Sequence, residues 1–196
     1  MSHLDPRLQL VPPGTGPRAW LFALCVALPV LFAAAGLIGS AMDEAPMKKI
    51  GGSLALTAVS ILGGVLVLTL AVWAVLVRFM RRQAVTLDAA RLEVRSSFYR
   101  ASVPLDVLDL DRARVVDLDE RDELRPLFKS NSFSLPGYRS GWFRLRNRRR
   151  TFVALADGRH RLWLPTRGRH DLLLEPKDPR ALLQRLLELA AGHRHG

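Results

Sequence analysis

Residues 19–42 read AWLFALCVALPVLFAAAGLIGSAM, and residues 50–77 read IGGSLALTAVSILGGVLVLTLAVWAVLV. Neither run contains Asp, Glu, Lys, Arg or His. A helix rises about 1.5 Å per residue, so about 20 residues cross a hydrocarbon core about 30 Å thick. Runs of 24 and 28 residues are each long enough. Lipid offers the backbone no hydrogen-bond partner, so both runs are expected to be transmembrane helices. Pro29 and Gly51, Gly52, Gly63 and Gly64 would weaken soluble helices, but membrane helices tolerate them. The first run exceeds the roughly 7 to 15 apolar residues of a signal peptide. Intramembrane ionisable groups mark ion and proton pathways. Their absence favours anchoring over transport. Gly36 with Ser40, and Ser60 with Gly64, have the four-residue spacing that suits close helix packing, although small residues are also simply frequent in membrane helices.

Lys and Arg near the span ends set the expected orientation. Arg7 and Arg18 precede the first run, and Arg78, Arg81 and Arg82 follow the second. The connecting loop at 43–49 sets Lys48 and Lys49 beside Asp43 and Glu44. The bias places both termini in the cytoplasm and the loop outside, at the inner (cytoplasmic) membrane. Trp20 and Trp73 lie near the inner ends of their spans, as interfacial aromatics do. Residues 1–18, rich in Pro and Gly, read as a flexible tail. The single cysteine, Cys25, excludes an intrachain disulfide and a Cys-rich zinc site.

After residue 82 the pattern changes. Short apolar segments at 91–94, 99–103, 113–117, 141–145, 151–156, 161–165 and 171–174 read as about seven strands. Asp157-Gly158 suggests a hairpin turn, and Asn147-Arg148 suggests another. Asp178-Pro179 is an N-cap followed by proline at the first helical position. Leu182, Leu183, Leu186, Leu187 and Ala190 then recur at helical spacing, and Gly192 is a plausible stop. The stripe is expected to be core.

The segment 131–146, NSFSLPGYRSGWFRLR, resembles the signature of a bacterial pleckstrin-homology-like (PH-like) domain family. Val103-Pro104-Leu105, Leu162-Trp163-Leu164-Pro165, the strand at 171–174 and the Asp178-Pro179 helix start share the likeness, which covers roughly residues 84–191. The stretch from Gly137 to Trp142 is its most specific part. Where Ser132 stands, the family often has glycine. The resemblance implies a seven-stranded, partly open barrel capped by a C-terminal helix, spanning 84–192. It supplies a fold more than an activity, since the function of such proteins is mostly undefined.

No catalytic constellation is visible. Gly137-Tyr138-Arg139-Ser140-Gly141 has G-x-x-S-G spacing rather than the G-x-S-x-G of a nucleophile elbow, and reads as a turn. His160 and His170 flank strands, and His193 and His195 sit in the tail, without the spacing of a metal site. The acids at 117–123 lack the glycine and spacing of a calcium loop, and read as a solvated loop. No cofactor and no enzyme activity are expected.

Charge carries more information. Residues 101–126 hold eight acids and four bases, whereas residues 127–170 hold eleven bases and one acid. Lys129, Arg139, Arg144, Arg146, Arg148, Arg149, Arg150 and Arg159 are the candidate contacts for anionic lipid or a partner. Arg144 and Arg146 share strand parity, and Arg148, Arg149 and Arg150 would extend their face through the hairpin. Each base close to an anionic leaflet contributes about 1 kcal/mol. An acidic protein partner is the second candidate. Nucleic acid ranks last, for want of a recognition helix or a stacking platform. Arginine-rich solvated turns with no ligand remain a further alternative. The expected function is that of a membrane-anchored, non-enzymatic interaction or scaffolding protein. The alternative is an accessory subunit of a membrane enzyme or transport complex whose chemistry lies on another chain.

Overall fold

The computed structural model describes residues 5–42, 53–88 and 90–194. The loop expected at 43–49, the start of the second apolar run at 50–52, and His195 lie outside the described residues. The chain forms two compact units. One is Thr15–Arg78; the other joins Met1–Gly14 to Phe79–Gly196.

Two helices long and apolar enough to cross a membrane make up the first unit, over Thr15–Ser40 and Ala55–Met80. The first comprises α1 (Thr15–Phe22), a π-helical turn (Ala23–Ala27) and α2 (Leu28–Met42). The Leu28 N–H bonds back to the Ala23 carbonyl, five residues earlier. Pro29, next in line, has no N–H and its ring crowds the carbonyl four residues before it. A widened π turn just ahead of a proline relieves that crowding. The second helix is α3 (Leu54–Met80). Only 11% and 0% of their most apolar stretches are buried, so Leu31, Phe32, Ile38, Val59, Val67 and Leu68 stand exposed. The core helix of a soluble protein would be mostly covered. Phe22 meets Trp73 edge-on at 5.6 Å. A side chain at Gly36, Gly39, Gly63 or Gly64 would meet nothing within 4 Å, so these four glycines make no close helix contact among the described residues.

The second unit is mainly β, with nine strands among the described residues, where about seven were expected, arranged as two sheets and not as a closed barrel. The smaller sheet is the antiparallel meander β1 (Gln83–Leu87), β2 (Arg91–Ser96), β3 (Tyr99–Pro104). The larger contains β4 (Arg114–Asp117), β5 (Pro126–Leu135), β6 (Tyr138–Leu145), β7 (Arg150–Leu155), β8 (His160–Leu164) and β9 (Asp171–Leu174), in the order β4-β8-β9-β7-β6-β5. β1 and β5 account for the extra count. β5 is an edge strand with no buried residue and with Ser and Asn in its sequence, so it lacks the apolar alternation of a half-buried strand. The expected turn at 137–141 is also shorter. Only Pro136-Gly137 turns, with Gly137 at φ 74°, the proline-glycine pattern of a type II turn. Tyr138 to Gly141 already belong to β6.

β9 inserts between β7 and β8, running parallel to β7 and antiparallel to β8. Asp157-Gly158 is therefore not a tight hairpin turn, because the β7–β8 connection must pass over a whole intervening strand. Neighbouring strands lie about 4.8 Å apart, which a two-residue turn cannot double. Instead, Glu175, just beyond β9, accepts the N–H groups of Ala156 at 2.9 Å and Gly158 at 2.8 Å. A Cβ on Gly158 would collide with that carboxylate. Gly141, at φ 114°, is needed for a similar reason: its Cβ would meet the Asn131 carbonyl oxygen at 2.7 Å.

Both faces of the larger sheet are buried. The inner face joins Phe152, Ala154, Leu162, Leu164, Leu172 and Leu174 to Val94, Leu92 and Val103 of the smaller sheet and to Leu182 and Leu186. The outer face packs Phe143, Val153, Leu155, Trp163 and Leu173 under Leu118 and Leu124. The acids at 119–123 are exposed, as expected of a solvated loop, while Leu118 and Leu124 in the same stretch roof the sheet. α4 (Pro179–Arg194) starts as expected: Asp178 Oδ1 accepts the N–H groups of Arg180 and Ala181. It continues past Gly192, and Leu187 is exposed, so neither the expected stop nor that part of the stripe holds.

The expected flexible tail folds onto this unit from residue 5 onward. Pro6–Leu8 form a 3-10 turn, and Leu8 and Leu10 are 8% and 4% exposed within the inner core. The Gln9 side-chain amide donates to the Val85 carbonyl at 3.1 Å and accepts the Val85 N–H at 2.9 Å. The backbone of the strap bonds the chain after β9: Val11 N–H to the Glu175 carbonyl, Lys177 N–H to that of Gln9, and Asp178 N–H to that of Arg7. One short segment therefore ties the edge of the smaller sheet to the exit of the larger one and to the start of α4. Leu-to-Ala changes in a core typically cost about 2 to 5 kcal/mol each. Replacing Leu8 and Leu10 together by alanine is expected to destabilise the β unit by about 4 kcal/mol or more. Thermal unfolding of the full chain in detergent checks this, and a change under about 1 kcal/mol would show the strap to be dispensable.

Candidate basic interaction surface

The structure divides the expected basic surface rather than gathering it. Strand β6 alternates its faces. Tyr138, Ser140, Trp142 and Arg144 share one, and Arg139, Phe143 and Leu145 the other. Arg139 lies five residues from Arg144, or about 17 Å along the strand. The two belong to opposite ends and opposite faces.

At the hairpin end, Arg144 pairs in register with Arg150, like charge opposite like charge. Arg150 is held by stacking over the Trp142 ring at 4.6 Å. Trp142 in turn meets Phe152 at 5.2 Å and His170 at 4.9 Å. Arg148 takes φ 64° in the turn, and Asn147 Oδ1 accepts the Arg149 N–H at 3.0 Å, so the expected turn is present.

Arg149 is exposed, but its guanidinium is engaged within the domain. Its Nη2 donates to Asp171 Oδ1 at 2.7 Å and to the Thr166 carbonyl at 3.0 Å, and its Nε to Asp171 Oδ2 at 3.2 Å. Asp171 is buried and also accepts the Thr166 N–H. This pairing raises the Arg149 pKa further, with the hydrogen bond outweighing burial. Arg146 has left the strand, contrary to the expected shared parity with Arg144. Its N–H bonds the Arg125 carbonyl and its guanidinium pairs with Asp122 at 2.9 Å. Arg125 also pairs with Asp119 at 3.2 Å and Asp122 at 3.0 Å. The acidic stretch thus neutralises part of the basic one. These pairs are half exposed and contribute little to stability.

Arg139 sits at the other end, on the outer face, in a cleft of about 310 Å³ with Arg125, Arg161, Asp119 and Asp157. Burial lowers the Arg139 pKa, and the charges of Arg161 and Arg125 lower it further. The Arg161 Nε is buried without a hydrogen bond, and its approach to Glu175 Oε2 is 4.0 Å. Burial pushes the Glu175 pKa up, against its two backbone donors and Arg161. Arg159 lies exposed in the neighbouring β7–β8 connection, and Lys129 is exposed on β5 beside Leu127 and Phe128. Arg161 and Arg125 did not stand out in sequence. The signal available was parity, since Arg161 shares its strand face with Trp163.

Ser140, the nucleophile of the pattern considered above, is buried and structural. It donates to the Ser96 carbonyl at 2.9 Å, and Tyr138 meets the Ser97 hydroxyl at 2.6 Å, together fastening one sheet to the other. Among the described residues, no group of three His, Cys, Asp or Glu side chains could hold a metal ion. Comparison with protein-family models, with curated proteins and with solved structures found no match.

His170 gives the surface a pH response. Burial holds its pKa below the ordinary 6.5, Arg150 lowers it further, Asp171 opposes, and Arg149 adds to the lowering. Its Nε2 is buried with no hydrogen-bond partner, which fits the neutral ring. The unfolded chain then binds this proton more readily than the folded chain. The stability His170 contributes is complete above 6.5 and is lost as the pH falls below it. Melting temperature should drop between about pH 7 and about pH 5 in the natural protein, and drop less in His170→Gln. Parallel slopes for the two proteins would contradict this assignment.

Proposed function

We propose that this is a membrane-anchored, non-enzymatic interaction protein. In this reading the two apolar helices cross the inner membrane as a hairpin. The β unit is a cytoplasmic PH-like domain that presents its basic surfaces to an acidic protein partner or to the anionic leaflet. The observation that carries it is the N-terminal strap. Residues 7–11 bond the same β unit that follows α3. A chain so interlocked needs both ends of its helical hairpin on one side of a membrane, and two crossings satisfy that need. The exposed apolar flanks of both helices support lipid as their environment. Arg78, Arg81 and Arg82 after the second span, with Arg7 and Arg18 before the first, favour the cytoplasmic side for both ends.

The PH-like assignment rests on the sequence of 131–146 and on a helix that follows the last strand. The strand count and the division into two sheets differ from what the resemblance implies. An interaction role suits a surface whose arginines are spread over two ends of one sheet. Reporters that fluoresce only in the cytoplasm, fused separately at each terminus, should both be active. Activity at one terminus only would overturn the hairpin arrangement. Gentle detergent extraction should then co-purify an enriched partner, or show retention on anionic vesicles that salt weakens.

A further inference from the structure

The arginine cleft on the outer face has a feature the basic surface as a whole lacks. Arg125 enters from the residue just before β5, Arg139 from β6 and Arg161 from β8, while Leu155 and Ala156 form part of the lining. Two carboxylates, Asp119 and Asp157, line it as well, and Glu175, outside the lining, approaches Arg161 at 4.0 Å. Asp119 is already engaged by Arg125 at 3.2 Å. Arg139 has no ion pair among the described residues, and the charges that act on it most are two other guanidinium groups. Arg161 is the strongest indication. Its side chain is 16% exposed, yet its Nε makes no hydrogen bond. The nearest carboxylate, on Glu175, is committed to Ala156 and Gly158. A buried guanidinium whose ion pair is as long as 4.0 Å, to a carboxylate already held by two backbone donors, is incompletely compensated. Like charges brought together around a polar cleft are costly too, unless an anion joins them. Guanidinium groups suit a phosphate, whose oxygens they can meet in pairs.

We propose that the cleft of Arg139, Arg161 and Arg125 binds a phosphate group, carried either by a small soluble molecule or by a lipid headgroup. Arg161 would meet one oxygen with the terminal nitrogens of its guanidinium, and Arg139 would close over the others from the solvent side. Arg125 keeps its ties to Asp119 and Leu118 and adds charge at the rim. The site stands whether or not the partner reading above holds, because its ligand is a chemical group and not a protein.

The test is calorimetric titration of the full chain in detergent with inorganic phosphate, against chloride at equal ionic strength. Saturable binding is expected in phosphate only, in the millimolar range typical of a single small anion. Arg139→Gln should weaken it at least about fivefold, with the melting temperature in chloride unchanged, because Arg139 is exposed and bears no structural bond. Arg161→Met should abolish it. If that variant fails to fold, Arg139→Gln alone decides. Repeating the titration in nanodiscs separates the sources. Suppression by anionic lipid, compared with zwitterionic lipid, assigns the site to a headgroup, and equal isotherms assign it to a soluble phosphate. No saturable binding, binding that chloride reproduces, or binding that survives Arg139→Gln would each overturn the proposal.

Discussion

The side-chain amide of Gln9 completes both backbone groups of Val85, as a neighbouring strand would. Around it, Leu8 and Leu10 enter the inner core, and the backbone from Arg7 to Val11 bonds the exit of β9. The β unit is therefore discontinuous in sequence. Its first piece precedes the helical hairpin, and the remainder follows it. In folding terms the hairpin is an insertion between a strap and the domain that the strap completes. Closing so long a loop costs entropy, which the buried leucines and the added hydrogen bonds must outweigh. If α1 to α3 lie in a bilayer, the insertion itself holds the two pieces near each other and reduces that cost.

Two buried carboxylates organise the rest. Asp171 opens β9 and Glu175 follows its last residue. The first holds Arg149 and the Thr166 N–H, and so fixes the β8–β9 connection against the β6–β7 hairpin. The second holds the β7–β8 connection where it crosses over β9. A strand inserted between two earlier ones leaves such crossings at both ends, and their backbone N–H groups need acceptors. The basic character of the segment is thus partly structural. Arg149 and Arg146 belong to the fold, Arg150 is stacked on Trp142, and Arg139 and Arg161 share a cleft.

The elements that sequence makes legible are those with one dominant physical signal. The two charge-free runs, the Asp178-Pro179 helix start and the buried Leu182 and Leu186 are of this kind. So are the apolar stretches of β7, β8 and β9, which beyond Arg150 and Arg161 are covered on both faces. What escapes is long-range. Pro6, Pro12 and Pro13 make the N-terminal segment look like a linker, whereas an extended strap uses its edge groups and two leucines. β5 pairs along an edge and needs no apolar alternation. The insertion of β9 turns an apparent Asp-Gly hairpin into a crossover. For the basic surface, the parity that pairs Arg144 with Arg146 fails because β6 ends at Leu145, and nothing local tells that Arg146 turns away to Asp122 or that Arg149 reaches a buried Asp171.

Amide hydrogen exchange on the full chain tests the interlocking of strap and domain most directly. The N–H groups of Val11, Val85 and Lys177 each have a partner across the junction. They should exchange slowly and together with the core amides of β7 and β9, as members of one cooperative unit. Exchange of residues 7–11 at the rate of a free peptide, beside a protected β7 and β9, would contradict it.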